Sequence, residues 1–144
     1  MGVTNFDEYR DVFVVADTID DVVHPVTYEL IGQARRIAKE LGQLVQVMLL
    51  GENVQSEAEE LVAHGADIVH VFESPLLKYY TTDGYTKVLT DFFEDHKPNI
   101  LLIGATNNGR DLAPRMSGRM KNGVVADCTI LTVDTEEGLV EWTR

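Results

Sequence analysis

Ile100-Leu101-Leu102-Ile103-Gly104-Ala105-Thr106-Asn107-Asn108-Gly109-Arg110-Asp111-Leu112-Ala113-Pro114-Arg115 is the stretch on which the fold of this chain turns. Its first residues are apolar without alternation, which predicts a strand buried on both faces, the habit of parallel sheets. A glycine-bounded loop, Ala105 to Gly109, follows. Beyond it the spacing predicts a helix from about Arg110 to Lys121, with Pro114 in its first turn, where a missing N–H costs little.

The same strand, loop and helix unit recurs upstream. Val12 to Ala16 reads as a buried strand ending at Asp17-Thr18, followed by a loop with three aspartates. Pro25 suits the first turn of a helix, and Val26, Leu30, Ala34, Ile37, Ala38 and Leu41 keep helical spacing until Gly42 stops it. Leu44 to Leu50 is the second strand, Gln55 to His64 a short helix stopped by Gly65, and Ile68 to Phe72 the third strand. Glu73 to Thr82, with Pro75 and Tyr79-Tyr80, reads as loop or broken helix. Asp83 is the expected N-cap of a helix from Gly84 to about His96, with Tyr85, Val88, Leu89, Phe92, Phe93 and His96 on one stripe. After the fourth strand and its helix, Thr129 to Val133 and Leu139 to Thr143 flank Asp134 to Gly138 as a hairpin. Four alternations and an antiparallel finish predict an open, doubly wound, mostly parallel α/β sheet with a C-terminal antiparallel hairpin, one domain over residues 1–144. No internal repeat, low-complexity segment or linker interrupts it.

Composition bounds the function. The 144 residues carry 12 basic and 24 acidic side chains, a formal charge of −12. A chain this acidic is a poor generic binder of nucleic acid, whose affinity comes from neutralised phosphates. The length suits one domain that buries roughly 70% of its unfolded surface. A single cysteine, Cys128, cannot form an internal disulfide, which points to a reducing, cytoplasmic setting. The N-terminus lacks the basic start and apolar run of a signal peptide. No stretch reaches the about 18 apolar residues of a membrane span, so no membrane insertion is expected. The positive charge is concentrated: Arg110, Arg115, Arg119 and Lys121 share a segment with one acid, Asp111, which makes it +3 and leaves −15 elsewhere. A solvated helix face explains such a run equally well.

In doubly wound sheets ligands sit beyond the carboxyl ends of the strands, where strand order reverses. With the order 3-2-1-4-5 the crevice lies between Ala16-Asp17-Thr18 and Gly104 to Arg110. There Thr106, Asn107, Asn108, Gly109, Arg110 and Arg115 are the candidate cofactor-binding residues: a close backbone approach, side-chain donors, a helix N-terminus and two guanidinium groups. The same residues also make sense as a helix cap and turn. Gly104 to Gly109 has the outer spacing of a phosphate loop, but Arg110-Asp111 stands where Lys and Ser/Thr are required, which excludes a nucleoside-triphosphate hydrolase. No G-x-G-x-x-G follows the first strand. His24, His64, His70 and His96 lack metal-ligand spacing, Asp17, Asp20 and Asp21 fit a solvated loop better than a cation site, and Cys128 has no base beside it. Tyr79 and Tyr80 suit a loop folded over the sheet as well as a stacking surface. No nucleophile, base and orienter set is present.

The stretch from Ile100 to Arg115, with Ala126-Asp127-Cys128-Thr129, Val26 to Arg35 and Leu49-Leu50-Gly51-Glu52-Asn53, resembles the N-terminal domain of the electron transfer flavoprotein alpha subunit over nearly the whole chain. The resemblance implies an adenine-nucleotide hydrolase-like α/β fold and a heterodimer with a beta subunit. It also implies a carrier that takes electrons from an acyl-CoA dehydrogenase-like flavoenzyme and does no bond chemistry of its own. The FAD would lie mainly in a second alpha domain, expected to begin about where this chain ends at Glu141-Trp142-Thr143-Arg144. The wording of Gly109 to Arg115 and Ala126 to Thr129 is more similar to the flavin-bifurcating branch, in which a second FAD in beta takes hydride from NADH. Lys121-Asn122-Gly123-Val124-Val125 departs from that branch, which more often has Thr-Gly-Leu-Thr there. The alternative is a stand-alone nucleotide-binding module of the universal-stress kind, whose Gly-x-x-Gly and Gly-Ser/Thr loop is replaced here by the single gap from Gly104 to Gly109.

Overall fold

β1 (Val12–Val15) has no polar side chain, and every residue of it is buried. Such a strand is stable only with a hydrogen-bonded neighbour on each edge and a packed layer on each face. A computed structural model, which describes residues 10–122, 129–134 and 138–143, supplies both. Along the chain follow a two-residue hairpin, β2 (Thr18–Ile19) and β3 (Val22–Val23), then α1 (Val26–Leu41), β4 (Val45–Gly51), α2 (Glu57–Ala63) and β5 (Ile68–Glu73). A 3-10 turn (Pro75–Leu77), α3 (Thr82–Asp95), β6 (Ile100–Gly104), α4 (Asn107–Asn122), β7 (Thr129–Asp134) and β8 (Gly138–Thr143) complete it.

The strand order is β5-β4-β1-β6-β7-β8. β1 pairs in parallel with β4 (Val12 opposite Val45) and with β6 (Val12 opposite Ile100). β4 pairs in parallel with β5, β6 with β7, and β8 returns antiparallel to β7. The five parallel strands stand in the expected 3-2-1-4-5 order, and the reversal falls between β1 and β6. The open, doubly wound α/β architecture with its antiparallel finish is therefore present. Cys128, Ala126-Asp127 and the hairpin turn at 135–137 lie outside the described residues.

Because side chains alternate along a strand, each strand contributes to two cores. Val12, Val14, Val47, Leu49 and Leu102 pack under α1 and α2 with Leu30, Ile31, Ala34 and Leu61. Phe13, Met48, Leu50, Leu101 and Ile103 pack under α3 and α4 with Leu89, Phe93, Leu112 and Met116. Within the second core Phe93 meets Phe13 edge to face, ring centroids 5.3 Å apart.

Four local expectations are corrected. α4 begins at Asn107, not near Arg110, so the connection after β6 is only Ala105-Thr106, and Thr106 caps the helix by accepting the Gly109 N–H on Oγ1 at 3.1 Å. Pro114 consequently lies inside the helix, not in its first turn. The cap of α3 is Thr81, whose Oγ1 accepts the Gly84 N–H at 3.2 Å, while Asp83 sits within the first turn. The segment after Asp17 is the β2–β3 hairpin, turned by Asp20 (φ 50°) and Asp21 (φ 65°). Positive φ at both central residues matches the twist of a two-residue hairpin, a conformation aspartate tolerates better than most residues.

Gly109 decides how closely α4 approaches the sheet. A Cβ there would collide with the Gly104 carbonyl oxygen and come within 3.0 Å of the Gly104 carbonyl carbon. Both obstacles are backbone and cannot rotate away. Gly109→Ala is expected to lower unfolding free energy by roughly 1–3 kcal/mol, read from the midpoint of a urea titration; an unchanged midpoint would show that the contact tolerates a methyl group.

Candidate functional site

The carboxyl ends of β1 and β6 meet at the strand-order reversal, and the cleft between them is lined by Ala16, Asp17 and Thr18 on one side and by Gly104, Thr106, Asn108, Gly109 and Leu112 on the other. Asp17 N–H donates to Thr27 Oγ1 at 3.0 Å and Thr18 Oγ1 donates to the Leu50 carbonyl at 3.1 Å, so the end of β1 is tied to α1 and β4. The cleft itself holds only about 20 Å³, roughly one water molecule. Tyr80 and Tyr85 complete its lining, their rings 5.0 Å apart and edge to face. The Tyr85 hydroxyl donates to the Leu77 carbonyl at 2.9 Å, which ties the 3-10 turn to α3.

This lining is latched from α4. Asp111, in the second turn, accepts the Tyr80 hydroxyl on Oδ2 at 2.7 Å and also the Thr82 hydroxyl. The Thr82 and Tyr80 hydrogen bonds hold the Asp111 carboxyl below the usual carboxylate range. Burial, and then the bond to Asp111, push the Tyr80 phenol up to about 12. One turn further along, Arg115 Nη2 donates to Asp83 Oδ1 at 2.5 Å and joins α4 to the start of α3.

The six candidate residues therefore divide. Thr106 is the cap. Gly109 is buried, and its N–H is held by Thr106. Asn107 and Asn108 stand at the first turn, where they line a second, open depression of about 270 Å³ with Asp17, Ile19, His24 and Thr106. Their N–H groups precede the helix ladder, so this is the anion-favouring end of α4. Arg110 is exposed beside them, its Nε donating to the Ala105 carbonyl at 3.3 Å. Arg115 is directed to Asp83, and Arg119 lies a further turn away, so basic residues contiguous in sequence are strung along the helix.

Tyr80, Tyr85 and Asp111 were not among the expected site residues. The signal for Tyr85 was its place on the apolar stripe of α3; nothing in the local pattern pairs Tyr80 with Asp111, 31 residues away. Of the acidic hairpin, Asp21 accepts the Glu52 N–H at 2.9 Å and the Asn53 N–H at 3.2 Å, a structural use. Among the described residues no group of His, Cys, Asp and Glu is placed to hold a metal ion, and no helix is long and apolar enough to cross a membrane.

Comparison with known proteins bears on what this end of the sheet serves. The family description "Electron transfer flavoprotein domain" matches residues 12–144. An electron transfer flavoprotein subunit alpha from Megasphaera elsdenii is 45% identical over 137 residues, which is 95% of this chain and 40% of that protein. Subunit LctC of a lactate dehydrogenase (NAD(+),ferredoxin) from Acetobacterium woodii is 45% identical over 133 residues, 92% of this chain and 32% of that protein. An acryloyl-CoA reductase electron transfer subunit beta from Anaerotignum propionicum is 43% identical over 130 residues, 90% of this chain and 35% of that protein. The chain thus spans two fifths or less of the length of these curated relatives.

The latch has a spectroscopic signature. A phenol whose pKa is raised on folding binds its proton more tightly in the folded state, so its stabilising contribution is complete below pH 10 and is lost as pH rises through about 12. Tyr80→Phe is expected to remove one phenolate from the ultraviolet titration in that window and to flatten the loss of stability there relative to the unsubstituted protein. If the difference between the two titrations falls near pH 10, Tyr80 is not held by Asp111.

Proposed function

The chain belongs to the electron transfer flavoprotein family, and from that membership we propose that it is the N-terminal domain of an alpha subunit, a non-catalytic scaffold that presents the start of α4 to a beta subunit and its flavin. One observation carries this reading. The crevice that commonly receives a ligand in this fold class is narrowed to about 20 Å³ between walls that include Tyr80 and Tyr85, while Asn107 and Asn108 line the open depression beside it and Arg110 is exposed next to them. Ligand pockets usually enclose about 300–1,000 Å³. A cleft of about 20 Å³ takes no nucleotide; a rim of donors serves something that comes from outside.

The residues present suit part of a flavin and not all of it. Thr106, Asn107, Asn108, Gly109 and Arg110 offer hydrogen-bond donors, a close backbone approach and one positive charge, which fits the edge of an electron-rich ring or a phosphate. Arg115, held by Asp83, serves this end indirectly, by fixing α4 against α3. On this reading the main FAD site lies elsewhere in the protein. When bound, FAD supplies the one- and two-electron chemistry. This chain's share is to orient and stabilise the neighbouring subunit's cofactor. The names NAD(+) and ferredoxin attached to one relative support a flavin-bifurcating carrier, and acryloyl-CoA reductase attached to another supports an acyl-CoA dehydrogenase-like partner.

In the complete heterodimer, Arg110→Ala is expected to weaken flavin binding by roughly 1–3 kcal/mol, about 5- to 150-fold, with a shifted potential and slower reduction by NADH. Unchanged flavin occupancy, potential and NADH reduction would remove Arg110 from the site. The stand-alone nucleotide sensor makes the opposite forecast for a simple ligand. Calorimetry with ATP and AMP is expected to show no binding that Asn108→Ala at the β1–β6 cleft weakens, and micromolar affinity lost in that variant would favour the sensor.

A further inference from the structure

At the other end of the sheet, about 20 Å away along β4, a groove of about 530 Å³ runs between the last turns of α1 and the turn from α2 into β5. Its walls carry Arg35, Arg36 and Lys39, and Gln43 and Asp67 reach it from the strand ends. In a chain of net −12, three cations within one helical turn need a reason. Attraction to the negative end of α1 is one. Two of its last carbonyls already have partners, however: the Gly42 N–H reaches the Lys39 carbonyl at 3.4 Å and the Gln43 N–H reaches the Ala38 carbonyl at 2.9 Å. Among the described residues none of the three cations has a carboxylate partner, whereas Lys78, Lys87 and Arg115 each have one.

Two further features show the groove to be shaped. Gly65, at φ +122°, has no side chain where the Arg35 stem and guanidinium lie: a Cβ there would collide with Arg35 Cδ and come within 2.8 Å of Nη1. Arg35 is thereby laid against the α2–β5 turn with its head in the groove. Gln43 is oriented too. Its Oε1 accepts the Asp11 N–H at 2.8 Å and Asn99 Nδ2 at 3.2 Å, which leaves Nε2 facing away from both with no partner among the described residues. The one carboxylate on the rim, Asp67, has Oδ2 committed to the Val45 N–H at 2.8 Å.

We propose that this groove binds a small molecule carrying two or more anionic groups, held by Arg35, Arg36, Lys39 and the Gln43 amide. Arg35 and Lys39, four residues apart, share one face of the helix, whereas Arg36 is turned away from Arg35 around it, so a single phosphate or carboxylate is not placed to meet all three. The forked guanidinium groups suit phosphoryl or carboxylate oxygens two at a time. The site is independent of the flavin-facing rim, so its fate does not decide the reading given above.

Calorimetric titration of the purified protein with pyrophosphate, and in parallel with citrate, tests it at low ionic strength. Saturable binding of either supports the site, and the stronger of the two tells a phosphoryl from a carboxylate ligand. The exposed double variant Arg35→Gln/Lys39→Gln is expected to bind at least tenfold more weakly with an unchanged urea midpoint. Gln43→Glu, which keeps the acceptor for Asp11 and Asn99 but replaces the donor with a carboxylate oxygen, is expected to bind more weakly as well. Heats no larger than those of sodium chloride at matched ionic strength, or equal affinity in the double variant, would overturn the proposal.

Discussion

The first turn of α4 lies against the end of β6 so closely that the Gly104 carbonyl occupies the place where a side chain on residue 109 would begin. That approach sets the rest of the functional end. With the helix seated this low, Thr106 is left one residue before it and caps it, and Asn107 and Asn108 present the free N–H groups at the rim. Asp111 comes round to meet Tyr80 and Thr82, and Leu112 seals the cleft from the side. Were α4 to start a turn later, as its own residue preferences suggest, the donors would sit in a loop and the latch would have no anchor.

The same seating explains how a locally basic segment functions in an acidic chain. Arg110 remains at the rim, while Arg115 is absorbed by Asp83 in joining two helices. The acid in that segment, Asp111, is not a diluent of positive charge but the acceptor of two hydroxyls, which is why its carboxyl is held low and the Tyr80 phenol high. Charge that looks like one patch in sequence is thus divided between the rim and a tie between two helices. The cations of α1 are different: Arg35, Arg36 and Lys39 line a groove, and among the described residues none of them is paired with a carboxylate.

Much of the architecture was legible because it rests on repeated local signals. Unbroken apolar runs at Val12 to Ala16 and Ile100 to Gly104 are rare outside strands buried on both faces, and Gly42 and Gly65 end their helices with positive φ. The misplaced boundaries have physical causes. Asn107, Asn108 and Gly109 are weak helix formers, yet at the first turn of a helix weak propensity matters little once Thr106 supplies the cap. Thr81, with extended backbone, accepts the Gly84 N–H and caps α3, which leaves Asp83 inside the first turn, where it meets Arg115. Asp20-Asp21 forms a hairpin turn without glycine, and the Glu52 and Asn53 N–H groups hold Asp21 in place.

By itself the sequence determined the alternation of strands and helices, the mostly parallel sheet and the family, since all of these depend on residue order and short-range periodicity. Only the tertiary structure decided the strand order, with its reversal between β1 and β6, and the narrowness of the crevice there. Tyr80 and Tyr85 line that crevice because Tyr80 meets Asp111 and Tyr85 meets Leu77, contacts made only once α3 and α4 have packed side by side on the same face of the sheet.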